Sequence, residues 1–362
     1  MGAIKRMQIW RVIVFVAMTF LLSWGFDLIL TAISGDTSYP ELGMTPWGML
    51  APAFTALVLQ LYLLPDSPMR SRALSTGVRW ILISYLLLTV AYGVVTILAA
   101  ALPAAQTALR GIGAVLVTAW TMAILFLGGR SDPQMRRRAG LNLGNVRYGQ
   151  RFILGVVVFL LLQAGLNLLF GLGDWQGTKA AIYGVPVPQA WYLPALVVLF
   201  VGVTVIGTPL SGLAAVFGEE YGWRGYLQGS LNPLGKVRSA ILVGLVWGVW
   251  HVPVILRGAH TYPPTLLGVL LGMVFFVLWG LIQSYAVLKT GGIWVPAFMH
   301  GVVNSVYAFT VNYVVRPRDR VLSFGLGVYG LACLAVLTGA IMRDRVWREG
   351  PRPKAAATAA VD

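Results

Sequence analysis

Apolar residues run through this chain in long unbroken stretches, without the two-residue alternation of a barrel strand. About ten stretches have the roughly 17 to 25 residues that a helix needs to cross a hydrocarbon core of about 30 Å. They are Trp10 to Ile33, Trp47 to Leu64, Trp80 to Leu102, Gly111 to Leu127, Phe152 to Phe170, Trp191 to Phe217, Ala240 to Leu256, Leu266 to Leu288, Ile293 to Val315 and Val321 to Met342. Backbone polar groups in lipid must find partners within their own segment, so this pattern predicts helices. The expected fold class is all-α, a polytopic transmembrane helical bundle. With 58% hydrophobic and only 11% charged residues, and a mean hydropathy of +0.77, the chain lacks the polar surface of a water-soluble globule. The first stretch is too long for a signal-peptide core and has no small-residue cleavage site in the right place, so it is expected to remain as a helix.

The net charge of +15 reflects topology and not nucleic-acid binding, because the basic residues sit in short connectors between spans. With the N-terminus in the cytoplasm, 21 of the 27 Lys and Arg residues fall on the cytoplasmic side, as the positive-inside rule requires. The expectation is an integral plasma-membrane protein with both termini cytoplasmic. Arg316, Arg318 and Arg320 form the one discordant loop. The connector from Arg130 to Arg151 is basic enough to attract anionic lipid head groups, with an orientation signal as its simpler role. The loop from Gly171 to Ala190 is the longest on the opposite side, and no chemistry is assigned to it. Cys333 is the only cysteine; it excludes an intramolecular disulfide and a thiolate zinc cluster, and reads as a small buried hydrophobe. Residues 349–362, with Pro351, Pro353 and an alanine run, lack a packing pattern and are expected to be disordered.

A carboxylate inside a membrane costs several kcal/mol, so it marks a partner or a task. Nine of the twelve acidic residues lie in connectors or tails. Asp27 stands toward the end of the first stretch, where it can reach the interface. Glu219 and Glu220 open the string Glu219, Glu220, Tyr221, Gly222, Trp223, Arg224 at the end of the sixth, with the helix expected to continue through Tyr226 and Leu227. Glu220 and Arg224 are four apart and stack as an ion pair. Glu219 is turned by roughly 100° and faces other helices. Partial desolvation beside a second carboxylate raises its pKa and suits it to act as a general base. A salt-bridged helix end explains this string equally well when it is taken alone.

Of the three histidines, His251, His260 and His300, the first and last lie within apolar stretches. His251 ends the run Trp247, Gly248, Val249, Trp250, His251, and His300 precedes Asn304 by one helical turn on the same face. Two imidazoles, a carboxylate pair and an amide on sequential helices point to a site. In this order, at gaps of 32 and 49 residues between Glu219, His251 and His300, the Glu-Glu-x-x-x-Arg, aromatic-x-x-x-His and His-x-x-x-Asn strings resemble the CPBP family. Its members are the type II CAAX prenyl proteases and relatives tied to bacteriocin processing or immunity. The resemblance covers about Trp191 to Val315, and the chain departs from it in carrying Trp247 where Phe is usual.

The resemblance implies an intramembrane endopeptidase opening to the cytoplasm and acting on a peptide or lipidated-peptide substrate near its C-terminus or beside the membrane. It implies that Glu219 and His251 activate water, that His300 and Asn304 stabilise the oxyanion, and that Glu220 and Arg224 hold the first group in place. Within one integrated membrane domain it divides the chain into N-terminal transmembrane helices (1–190), CPBP-like catalytic helices (191–315), a final transmembrane helix (316–348) and the tail. Water must reach such a site, so a polar cavity is expected between the helices after Trp191.

Glu219, His251 and His300 are also the ligand candidates for zinc. No His-Glu-x-x-His pair enforces a metal site, and a metal-independent glutamate mechanism is the preferred expectation. Two rival readings use the same residues: a non-catalytic membrane scaffold or bacteriocin-immunity protein, and a proton-coupled transporter. The transporter lacks the internal repeat and paired broken helices such carriers show.

Overall fold

The computed structural model describes residues 2–35, 46–67, 69–70, 76–128, 132–177, 181–258 and 261–349. His260 and the tail expected to be disordered lie outside the described residues, apart from Glu349. The helices are α1 (Gly2–Ser34), α2 (Pro46–Val58), α3 (Thr76–Ala101), α4 (Gln106–Gly128), α5 (Pro133–Arg138), α6 (Val146–Leu169), α7 (Tyr192–Leu199), α8 (Thr208–Ser211), α9 (Leu213–Glu220), α10 (Gln228–Leu231), α11 (Lys236–Leu256), α12 (Leu266–Thr290), α13 (Trp294–Phe309) and α14 (Val328–Ile341). Strands β1 (Gly173–Trp175), β2 (Ala181–Ile182), β3 (Val185–Pro186) and β4 (Val315–Pro317) form two short antiparallel pairs, β1 with β4 and β2 with β3. The chain is thus an all-α polytopic membrane protein.

Seven helices among the described residues are long and apolar enough to cross a membrane: Ile9–Ser34, Gly77–Ala101, Pro103–Phe126, Val146–Leu169, Gln189–Ser211, Lys236–Leu256 and Leu266–Thr290. Three of the ten expected stretches differ. Trp47–Leu63 and Val328–Ile341 are shorter apolar helices, and α13 has 16 residues before it widens over Thr310–Val314. The expected span from Val321 loses its first turns because the chain folds back there: Asp319 caps Val321 and Leu322 through its carboxylate, and Val328 N–H returns to the Val321 carbonyl at 2.7 Å. The sixth stretch breaks at Gly212, and every residue of α9 is buried. Hydropathy does not separate lipid from protein interior, so a core helix and a membrane span look alike in sequence.

The connectors gather at two ends of the bundle. At one end, Asn145 caps α6 through its side-chain oxygen, donates its backbone N–H to the Thr290 carbonyl, and so joins α6 to the end of α12. Gly291, at φ +73°, ends α12 in the left-handed region that glycine alone enters freely. Lys289 meets Asp344 at 2.8 Å, and Trp294 donates its indole N–H to the Leu141 carbonyl. At the opposite end, β1 and β4 pair, and Arg318 meets Asp174 at 2.7 Å. The discordant arginine cluster therefore shares an end with the 171–190 loop, as expected of its connector. Both partners are exposed, so water and salt screen this pair and it adds little to stability. Cys333, expected to be buried, is half-buried in α14.

Candidate active site

The site begins with two glycines. A Cβ on Gly218 would lie 2.2 Å from the Met49 carbonyl oxygen, and one on Gly222 would lie 2.3 Å from Pro52 Cβ. Positions four apart share a helix face, so α9 and the wider turn Tyr221–Leu227 that follows it press their backbone directly onto α2. At roughly 100° per residue, Glu220 then points away from α2 and Glu219 sideways from it. Both carboxylates enter the space among α11, α12 and α13.

Glu219 is 1% exposed. Its Oε2 accepts the Trp247 indole N–H at 2.6 Å. Glu220 is fully buried, and its Oε1 accepts from Arg224 Nη1 at 3.1 Å, His300 Nδ1 at 3.0 Å and Gln283 Nε2 at 3.2 Å. The expected Glu220–Arg224 pair is present. Its contacts are with His300 and Gln283, while the group holding Glu219 is Trp247. Arg224 lies 4.2 Å from the Trp247 ring centroid, and its Nε and Nη2 find no hydrogen-bond partner among the described residues. The ring face therefore offsets part of the guanidinium's desolvation. Gly280 and Gly244 make room for that group: a Cβ on Gly280 would sit 3.2 Å from Gly244 Cα and 3.6 Å from Arg224 Nη2.

Trp247 also organises both imidazoles. His251 Nδ1 donates to the Trp247 carbonyl at 2.8 Å, and its ring stacks on Phe276 at 3.8 Å between centroids. The indole meets His251 and His300 edge-on, at 5.7 and 5.4 Å between centroids. Because a carbonyl only accepts, neutral His251 carries its hydrogen on Nδ1 and presents Nε2 as a lone pair. His300 gives its Nδ1 hydrogen to the Glu220 carboxylate, so its Nε2 is a donor when the ring is cationic. Asn304 is exposed one turn beyond His300.

Glu219, Trp247, His251, His300 and Asn304 all line one cavity of about 600 Å³. Glu220 and Arg224 stand behind this wall. The cavity is broader than the sequence suggested, since α6 and α14 contribute to it, and it is largely apolar. Phe152, Val156, Phe159, Leu334 and Leu337 form much of its surface. Trp247, one helical turn before His251, links the two groups, its indole N–H reaching Glu219 and its carbonyl accepting from His251.

Four contributors escaped the sequence reading. Gln283 was legible as a lone amide inside an apolar span, a feature that marks interhelical hydrogen bonding. Phe276, Tyr285 and Arg151 carried no such signal. Among the described residues no group of three or more His, Cys, Asp or Glu side chains is placed to hold a metal ion. Glu219, His251 and His300, the three ligand candidates, are not gathered into such a group in this arrangement.

No curated protein and no solved structure matches the chain. Residues 201–306 match the family model described as Type II CAAX prenyl endopeptidase Rce1-like. The match contains every residue of the three strings, from Glu219 to Asn304, and is consistent with the CPBP resemblance.

Proposed function

We propose that the protein is an intramembrane endopeptidase that hydrolyses a membrane-associated, lipidated or otherwise apolar peptide near its C-terminus. The observation carrying this reading is the meeting of a buried carboxylate, two imidazoles and an amide on the wall of one apolar cavity. Water held between Glu219 and His251 Nε2 attacks the scissile carbonyl and gives its proton to Glu219. The carbonyl oxygen becomes an oxyanion facing His300 Nε2–H, whose ring Glu220 already orients, and the Asn304 amide. Collapse of the tetrahedral intermediate breaks the C–N bond, and the proton on Glu219 passes to the departing amine. The movement of charge supports this route. As Glu219 is neutralised, the oxyanion takes over its charge, so the net charge of the dry site does not change during the step. Glu220 keeps His300 oriented.

The excess of Lys and Arg at the cavity end near Lys289 and Arg343 supports a cytoplasmic opening. The test is cleavage of a peptide library by membranes carrying the wild type or His300→Ala, with and without a chelator, read by mass spectrometry. Wild-type-specific, chelator-resistant cleavage is the expected result. Equal cleavage by both proteins removes the site assignment, and loss on chelation shows that a metal takes part.

Trp247→Phe keeps an aromatic ring and deletes the N–H that fixes Glu219. A hydrogen bond to a charged group contributes about 1.5 to 3 kcal/mol, so kcat is expected to fall at least about tenfold with KM little changed. Steady-state hydrolysis by the purified chain reads the split.

A further inference from the structure

We infer that Gln283 is the positioning residue for His300: its carboxamide ties the Glu220 carboxylate to the helical turn that carries His300, and so fixes where the oxyanion donor stands. This rests on the proposed endopeptidase reading and adds to it a residue that none of the three strings contains. Gln283 is fully buried in α12. Its Nε2 donates to Glu220 Oε1 and to the Pro296 carbonyl, both at 3.2 Å. Each of these neighbours only accepts, so the amide must turn its two hydrogens toward them, one for each.

Pro296 stands one turn before His300 in α13, and its carbonyl is the one that the His300 backbone N–H reaches in an α-helix. The bonds therefore close a ring. It runs from Glu220 Oε1 through the Gln283 amide to the Pro296 carbonyl, along one turn of α13 to the imidazole, and from Nδ1 back to the same oxygen at 3.0 Å. A histidine tied only by its own side chain could follow a shift of α13 by changing rotamer. With the backbone tied as well, such a shift breaks a second bond, so His300 and Asn304 keep their places on the cavity wall.

Other contacts seat α12 independently. Ser284, next in the chain, donates its hydroxyl to Gln228 Oε1 at 2.9 Å, and Glu220 and Gln228 bracket the wide turn Tyr221–Leu227. A Cβ on Gly280 would lie 3.2 Å from Gly244 Cα, so α11 and α12 touch there through their backbones. Gly280, Gln283 and Ser284 share one helix face. Replacing the Gln283 amide therefore leaves the helix its other contacts. Stability does not account for the amide, because its Oε1 is buried with no hydrogen-bond partner among the described residues, and such a group costs free energy. An apolar side chain of the same length avoids that cost and loses only the positioning.

The test is Gln283→Met, close to glutamine in length and volume but without a donor, made in the full chain and reconstituted in lipid vesicles. Its kcat is expected to fall about tenfold, the size expected for loss of a hydrogen bond to a charged group, with KM little changed and no drop in unfolding temperature. Nitrogen NMR of histidine-labelled protein gives a readout that needs no turnover. The chain has three histidines, and the ring signals of His300 and His251 are those missing from His300→Ala and His251→Ala. In Gln283→Met the His300 signals are expected to shift while those of His251 stay in place. Unmoved His300 signals would overturn the assignment. So would equal movement of both histidines with a lowered unfolding temperature, the result if the amide only holds helices together. Failure of the hydrolysis reading is separate: it shows as no cleavage by the wild type, or as cleavage unaffected by Glu219→Gln, and the NMR signals still decide on Gln283.

Discussion

Glu219→Gln is expected to lower kcat by at least about 10²- to 10⁴-fold, the range a general base contributes, while leaving the protein folded. The substitution preserves volume, and the amide oxygen still accepts the Trp247 indole N–H that Glu219 Oε2 accepts at 2.6 Å. The lost ability is uptake of a proton from water. KM is expected to change little, because the carboxylate sits on the cavity wall while apolar residues from α6 and α14 supply most of the surface a substrate would cover. Turnover of a cleaved library peptide by the purified chain, alongside its thermal unfolding temperature, checks both halves. An active, normally stable Glu219→Gln protein would remove the carboxylate from the mechanism and leave the rival membrane-scaffold reading in its place.

What the sequence revealed of this site, and what it hid, follows from how helices encode direction. Spacings of four residues lie within one helix, so the Glu220–Arg224 pair and the His300–Asn304 face were legible from residue order alone. The partner of Glu219 was not. Glu220 is its neighbour in the chain, yet Trp247 holds it, because Gly218 and Gly222 set the rotation of α9 against α2. That rotation depends on a contact with residues 49 to 52, which no local pattern announces. The same limit applies to the spans. Hydropathy marked α11 and α12 well, but it extended the sixth stretch into α9, whose residues are apolar because protein surrounds them. Arg151 looked like one more orientation signal in a basic connector until α6 was seen to line the cavity.

Glu220→Ala is expected to be the most destabilising single change at the site, by about 3 to 5 kcal/mol, the cost of leaving a buried ion without its partner. Three donors converge on Glu220 Oε1, from Arg224, His300 and Gln283, and the side chains of both Glu220 and Arg224 have no exposure. Deleting the carboxylate strands the guanidinium, whose Nε and Nη2 already lack hydrogen-bond partners among the described residues. Solvation of an isolated charge in such a place is so poor that the helices must separate or admit water. Removing both charges avoids this, so Glu220→Gln combined with Arg224→Met should be more stable than Glu220→Ala alone, even though it carries more substitutions. That inversion distinguishes a stranded charge from simple loss of packing, which would make the double variant the weaker one. Thermal unfolding of the three proteins in one lipid environment reads the order. Hydrolysis should be lost in both variants, because His300 no longer has the carboxylate that orients its ring.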